Sequence, residues 1–505
     1  MITKWEKRFL AVLLAGTMTV QSGMFFPDTV FAQEGNGVVP EEVYPQGTAE
    51  SIAYSGTPQN IYETRSPEEW AVLIREMETR LTDTLLAGEY SVDMTGLDLS
   101  YQEFLWIDDI IPYYGNGIRA FDYTEGESID LINPMSEEET RALVELVSGK
   151  VGEAESQITD GMTDAQKALA IHDYLVYNCA YDYDNYINGT IPQDSYRCSG
   201  MLINGTGVCQ GYAMAFQYFM MREGIECHVT SSASMNHAWN IVKIDGSYYH
   251  VDCTWDDPVP DSPGRVGHSH FLASDSKMQN ELEHFGWDRT DLVCDSTEYD
   301  SAYWADIDSP LISLDNGTYY IKFDETTDTG KLLVRTGENE TVAADLGKWL
   351  VWNGEGSYWL AAYSGLFYSG GYLYYNTSEK IMRIAPGASN SEAVYAPDLS
   401  EGYIYGCWRV DDEIHYVIKQ EAKDKGTVYT IPISGEEPEY TRGDVDDNGV
   451  VNISDLRMIL RSVCGKLVLT DTQKLAADVE TDGNVDITDL RKMLRFVCQK
   501  IDSLD

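Results

Sequence analysis

The stretch Gly207-Val208-Cys209-Gln210-Gly211-Tyr212-Ala213, followed by His237-Ala-Trp-Asn240 and by His250-Val-Asp252-Cys-Thr-Trp-Asp-Asp-Pro258, decides how the centre of this chain reads. Asn204 to Gly207 is a glycine-rich turn, and the apolar run Ala215, Phe216, Phe219, Met220 stops at Gly224, so a helix begins near Cys209. There the unsatisfied N–H groups and the positive end of the helix dipole favour a thiolate, a better nucleophile near neutral pH. Taken by itself, Cys209 reads equally well as a small buried thiol.

The segments on either side of Asp245-Gly246 change that balance. His237 to Ile244 and Ser247 to Cys253 flank a dipeptide preferred in two-residue hairpin turns. Pairing Ile244 with Ser247 puts Trp239 opposite Asp252, and His237 becomes a diagonal neighbour of Asp252 on the same face. A slip of one residue would separate them. An aspartate that accepts from one imidazole nitrogen fixes the tautomer and leaves the other nitrogen to act on Cys209.

These three motifs, in this order, resemble the transglutaminase-like cysteine-enzyme superfamily, and Ile171-His-Asp-Tyr-Leu175 with Tyr181-Asp182 resembles the helix before the nucleophile in its bacterial members. The match covers roughly residues 160 to 290. It implies a papain-like α+β core with Cys209 as nucleophile, His237 as general base and Asp252 as orienting carboxylate. The implied chemistry is attack on an amide carbonyl, loss of an amine with a proton from His237, and a thioester. Water or an amine then takes the acyl group, so protease, deamidase and cross-linker all remain open, and the Cys209 N–H is the one expected oxyanion donor. His268 and His270 would suit a metal pair, but no third ligand lies nearby in sequence, and a structural role is preferred. His172, His250 and Cys253 are read as packing residues.

A second constellation lies near the C-terminus. Asp444, Asp446, Asn448, Val450 through its carbonyl, Asn452 and Asp455 occupy positions 1, 3, 5, 7, 9 and 12 of a calcium loop with glycine at 6. Position 12 is Asp where the common loop has Glu. A copy starts 34 residues later with Asp478, Glu480, Asp482, Asn484, Asp486 and Asp489. Each loop runs into a helix whose stripe takes in Leu456, Leu460 and Cys464, or Leu490, Leu494 and Cys498, and core packing is the expected role of both cysteines. The duplication over about 442 to 503 is similar to a type I dockerin, although Glu480 departs from the usual Asp or Asn. That resemblance implies two calcium ions, a cohesin domain as partner, and partner contacts at Ile453, Ser454, Ile487 and Thr488.

Outward from these centres, 505 residues predict about three folding units. A net charge of −48 would repel nucleic-acid phosphates and anionic membranes, whereas 43% hydrophobic content marks a folding chain. Nine cysteines leave at least one thiol unpaired. Lys4, Lys7 and Arg8 precede an apolar run from Phe9 to Val20 and the small-residue end Val30-Phe-Ala32, the pattern of a cleaved secretory signal, and no later run has bilayer length. The chain is expected to be secreted. Helices are expected from Ser66, near Ser136 and near Thr163, with short strands and turns from Ser91 to Leu131. From Leu311 the texture becomes glycine-announced aromatic strands, as in Gly317-Thr-Tyr-Tyr-Ile321, Gly356-Ser-Tyr-Trp-Leu360 and Gly371-Tyr-Leu-Tyr-Tyr375. These predict an open antiparallel meander, its tyrosines suiting a half-buried pleated surface better than a sugar platform.

The expected fold is therefore multidomain: a signal peptide (1–32), a flexible leader (33–60), a papain-like/transglutaminase-like α+β catalytic domain with an N-terminal α/β extension (61–310), a β-rich aromatic domain (311–436) and a small α calcium-binding dockerin (437–505). The expected function is a secreted, cohesin-docked cysteine enzyme acting on protein or peptide amides. The alternative is an inert subunit that binds polysaccharide or protein through the β-rich domain.

Overall fold

Ser66, Ser136 and Thr163 each accept the N–H three residues on and receive a side chain back, from Glu69, Glu139 and Gln166, so all three expected starts are capping boxes. They open α1 (Pro67–Leu86), α2 (Glu137–Glu155) and α3 (Asp164–Asn178). The computed structural model describes residues 60–505 except 160, 260, 315, 325–328, 348–363, 421–423, 434–440, 446–449, 465, 468, 470, 481–484, 499, 502 and 505. The expected signal peptide, nearly all of the leader and the strand at Gly356 to Leu360 lie outside the described residues. Between α1 and α2 a three-stranded antiparallel sheet forms from Ser91–Asp93, Arg119–Thr124 and Ser128–Ile132. The helix Tyr101–Ile107 there was not anticipated, although Ser100 and Glu103 form a capping box of their own.

The central unit packs α4 (Cys209–Arg222) against an antiparallel sheet of β1 (Cys227–Ser232), β2 (His237–Ile244), β3 (Ser247–Val251) and β4 (Phe271–Ala273), in that order. Ile244 pairs with Ser247 and Asn240 with Val251, the register the hairpin turn predicts. Asp245 and Gly246 both have positive φ, 49° and 87°, the condition for a tight hairpin turn matching strand twist. Trp70 of α1, Tyr212, Phe216 and Phe219 of α4, and Val242, Tyr249, Val251 and Phe271 of the sheet share one core, so α1 to α3 build the scaffold that holds α4.

From Ile312 to Pro432 the described residues form three antiparallel meanders, of four, four and three strands. Tyr319, Ile321, Leu332, Leu366, Leu373, Tyr375, Tyr405 and Val417 of these sheets form a common core. Tyr319, Tyr320, Tyr374 and Tyr375 are fully buried, in keeping with packing rather than a sugar platform. Two bonds tie this region to the central unit: Leu311 N–H donates to Asp173 Oδ2 (3.0 Å), and Arg409 N–H donates to Tyr177 Oη (3.0 Å).

In the C-terminal repeat the helices Ile453–Val463 and Ile487–Val497 contribute Leu456, Ile459 and Met493 to a core with Val445, Leu469, Ala476, Ala477 and Val479. Cys464 and Cys498 are exposed, as are Leu460 and Leu494, which corrects the expected core role of the two cysteines. On a helix the i+3 neighbour shares a face as well as the i+4 neighbour does, and here the i+3 positions Ile459 and Met493 turn inward. Among the described residues no helix is long and apolar enough to cross a membrane.

Candidate active site

Cys209 is the first residue of α4, and Val208 before it gives no side-chain cap, so the first-turn N–H groups stand beside the sulfur. The flanking glycines are there for space. A Cβ on Gly207 would lie 2.4 Å from Met201 Sδ, and one on Gly211 would lie 2.6 Å from Ser195 O. Ser195 is the anvil of this turn: its carbonyl accepts from Val208 N–H (2.8 Å) and its hydroxyl donates to Asp182 Oδ2 (2.7 Å). That side-chain bond gives the aspartate of Tyr181-Asp182 its role, and Asp182 N–H also donates to Gly207 O (2.9 Å).

His237 opens β2 and Asp252 follows β3, and the predicted pairing brings them together. His237 Nε2 donates to Asp252 Oδ2 at 2.6 Å, with both side chains essentially inaccessible. Asp252 also caps the short helix Cys253–Asp256, its Oδ1 accepting from Thr254 N–H (3.0 Å) and Trp255 N–H (3.2 Å). With Nε2 on the carboxylate, Nδ1 is the ring nitrogen left for Cys209, whose sulfur is near enough to favour charge on the imidazole. Burial opposes charge on His237, but the Asp252 carboxylate and the Cys209 sulfur outweigh it and lift the ring to about 10. Burial also opposes charge on Asp252, and there His237 and His284 prevail and hold the carboxyl well below its usual range.

The remaining motif residues fix the parts. Asn240 Nδ2 donates to Ala213 O (3.0 Å), locking β2 to the first turn of α4. Trp239 Nε1 donates to His250 Nδ1 (2.9 Å), whose Nε2 donates to Asp275 (2.9 Å), so His250 is a buried strut. Asp256 accepts from His172 Nε2 (3.1 Å) and His270 Nδ1 (3.0 Å), while Asp173 accepts from His172 Nδ1 (3.0 Å) and His268 Nε2 (2.9 Å). His268 and His270 thus serve different carboxylates and do not form the metal pair their spacing allowed. Tyr212 donates its hydroxyl to Asp257. The residue sequence reasoning missed is His284, whose Nε2 reaches Asp252 Oδ2 at 2.8 Å. It sits in Glu283-His284-Phe285-Gly286, a turn with no periodicity or motif to announce it.

The other thiols of residues 60–436 are buried, and burial pushes Cys179, Cys198, Cys227, Cys253, Cys294 and Cys407 upward, away from ionisation. The family model for the transglutaminase-like superfamily matches residues 153–253, a span that contains Cys209, His237 and Asp252, and the model for the dockerin type I domain matches 442–497. The chain thus carries a transglutaminase-like domain at 153–253 and a type I dockerin domain at 442–497. Among solved structures it is similar to a TGase at 13% identity, over 32% of this chain and 49% of that one (TM-score 0.20). It is also similar to a putative protease from Parabacteroides distasonis at 12%, over 26% and 29% (TM-score 0.17). The arylamine N-acetyltransferase NAT3 of Bacillus cereus, with its Cys-His-Glu triad, matches at 13%, over 49% and 92% (TM-score 0.19). The chain thus spans about half of the first of these and less than a third of the second. No curated protein matches it.

In the dockerin, the described loop residues are Asp444, Val450, Asn452, Asp455, Asp478, Glu480, Asp486 and Asp489, whereas Asp446, Asn448, Asp482 and Asn484 lie outside the described residues. Asn452 and Asp486 cap their helices on Ser454 and Thr488 N–H. Asp455 accepts from Val445 N–H and Asn452 N–H (both 2.8 Å), and Asp489 accepts from Glu480 N–H and Asp486 N–H (both 2.9 Å). Position 12 therefore closes each loop on its own backbone. Asp444, Asp455 and Asp489 are buried, at 4%, 0% and 0% exposure, so these are not solvated surface acids. Carboxylate and carbonyl oxygens are hard ligands that suit calcium, which type I dockerins typically bind. Ile453 and Ile487, at matching places in the two repeats, are more than half exposed.

Proposed function

We propose that this protein is an exported cysteine enzyme of a cellulosome that acts on protein amides through Cys209, His237 and Asp252. The observation that carries this reading is the imidazole of His237 held on the Asp252 carboxylate at 2.6 Å while the sulfur of Cys209, at a helix start, favours charge on the same ring. With the proton already held on His237, the sulfur attacks the amide carbonyl. The C–N bond breaks as that proton goes to the departing amine, and a thioester remains. The Cys209 backbone N–H faces the developing oxyanion. Water or a second amine then releases the acyl group. In units, the reading is a catalytic domain to about residue 310, a β-rich unit to about 436 and a docking module beyond.

The dockerin recruits a cohesin. We assign its contacts to Ile453, Ser454, Ile487 and Thr488, which the repeat presents twice, and two calcium ions to the two loops, with Asp444, Val450, Asn452, Asp455, Asp478, Glu480, Asp486 and Asp489 as ligands among the described residues. When bound, calcium supplies charge compensation for these carboxylates. The test is incubation with a protein mixture, reading new termini, deamidated glutamines and new isopeptide cross-links by mass spectrometry. Any one of these, absent with Cys209→Ala, supports the proposal. None of them, with folded protein and intact cohesin binding, favours the inert subunit.

A further inference from the structure

The Asp252 carboxylate has four donors, enough to fill its lone-pair positions: His237 Nε2, the N–H groups of Thr254 and Trp255, and His284 Nε2. His284 lies 31 residues beyond the span that the superfamily model matches, so it is supplied by a part of the chain outside the three motifs. Its position is enforced. His284 N–H donates to Met278 O (2.9 Å), the Ser232 hydroxyl at the end of β1 donates to Phe285 O (2.7 Å), and Glu283 holds a left-handed φ of 59° just before it. A non-glycine residue persists there only when its surroundings over-determine the backbone. The ring is fully buried, with centroids 4.4 Å from Trp255 and 5.0 Å from Trp239.

The placement of its proton follows from its neighbours. The titratable groups facing the ring are Asp252, His237 and His270. Burial pushes His284 down to about 4, with Asp252 opposing and the rings of His270 and His237 adding to the effect, so it is neutral near pH 7 and carries one N–H. Leu282 O lies 2.8 Å from Nδ1 and Asp252 Oδ2 lies 2.8 Å from Nε2. A hydrogen bond to a carboxylate is about twice as strong as one to a neutral carbonyl, so the proton sits on Nε2.

We propose that His284 is a positioning residue of the cysteine centre, holding Asp252 so that His237 keeps its Nε2–H on the carboxylate and presents Nδ1 to Cys209. This rests on the cysteine-enzyme reading above. Without His284 one site on Oδ2 is left empty in a dry interior, and the carboxylate loses the contact that opposes its rotation away from His237.

The test needs no substrate. The rate at which iodoacetamide labels Cys209 is followed from pH 5 to 10 in the full chain with calcium, for wild type, His284→Ala and His284→Gln. His284→Ala should slow labelling at pH 7 by about tenfold and move the midpoint of the profile. His284→Gln, whose amide still donates, should return to within about threefold of wild type. An unchanged rate and midpoint in a folded His284→Ala protein overturns the proposal, as does a His284→Gln protein that folds but labels no faster than His284→Ala. Should His284→Ala fail to fold, nitrogen-15 histidine NMR of the wild type decides: a proton on Nε2 of His284 at pH 7 supports the assignment and one on Nδ1 overturns it. If wild-type Cys209 labels no faster than exposed Cys464, the parent reading falls and the proposal with it. Fast wild-type labelling that His284→Ala leaves untouched removes His284 alone.

Discussion

Two groups of carboxylates in this molecule, one under the cysteine centre and one in the C-terminal repeat, are compensated differently. Under the cysteine centre imidazoles serve them: Asp252 has His237 and His284, Asp256 has His270, Asp173 has His268, and His172 bridges Asp256 and Asp173. In the C-terminal repeat, Asp455 and Asp489 close their loops on backbone N–H groups, which carry no formal charge. The first region contains its own counter-charge. The second, small and rich in like charge, is built for one that arrives from solution.

The largest effect should separate the two regions by function. Cys209→Ala should lower amide turnover by roughly 10³-fold or more, the scale for losing a nucleophile, while the melting curve and cohesin binding stay unchanged. A melting point shifted by many degrees would mean that Cys209 is a packing residue. Calcium removal should do the reverse. Titration with a chelator is expected to unfold residues 442–503 and abolish cohesin binding, a loss of about 2.7 kcal/mol for each site that had been at 100 times its Kd, while turnover continues. Loss of turnover with docking intact would break the comparison.

A smaller effect tests internal compensation. His172 lies between Asp173 and Asp256; burial opposes its charge, but the two carboxylates lift it to about 9. His172→Gln should cost roughly 3–5 kcal/mol, because it leaves two buried carboxylates short of a counter-charge. The sign with pH follows. A raised histidine contributes stability that is complete below about 6.5 and is lost as pH rises through 9. Burial raises Asp173, but His268 and His172 overcome this and hold it near 2, so its contribution is complete above about 4 and is lost as pH falls through 2. Thermal stability of the catalytic unit should therefore rise between about pH 4 and 6.5, where His284 is protonated only in the unfolded chain, and decline by a few kcal/mol toward pH 9 as His172 loses its charge. A continued rise toward alkaline pH would contradict this arrangement.

The parts of the site that could be read in the sequence were those set by local geometry. Asp245-Gly246 fixed a turn, the turn fixed the register, and the register put His237 beside Asp252. Cys209 was legible because glycine spacing and an apolar run mark a helix start. His284 was not, because its approach depends on a strained turn pinned by Ser232, far away in sequence. The third ligand sought for His268 and His270 was likewise invisible: helix α3 delivers His172 and Asp173 from about a hundred residues earlier, and the two histidines part company there. Cys464 and Cys498 misled because i+3 and i+4 stripes fit the same helix equally well, and only packing chose between them.

The most direct test of the cysteine centre uses the chain's own internal standard. Cys209 is partly buried, whereas Cys464 and Cys498 are exposed thiols outside any such site. Peptide mass spectrometry after brief exposure of the calcium-loaded chain to limiting iodoacetamide at pH 7 gives all nine rates in one sample. The account predicts that Cys209 reacts fastest, ahead of both exposed thiols despite its lower accessibility, because it stands at a helix start beside the His237–Asp252 pair. A Cys209 rate equal to or below that of Cys464 would contradict it.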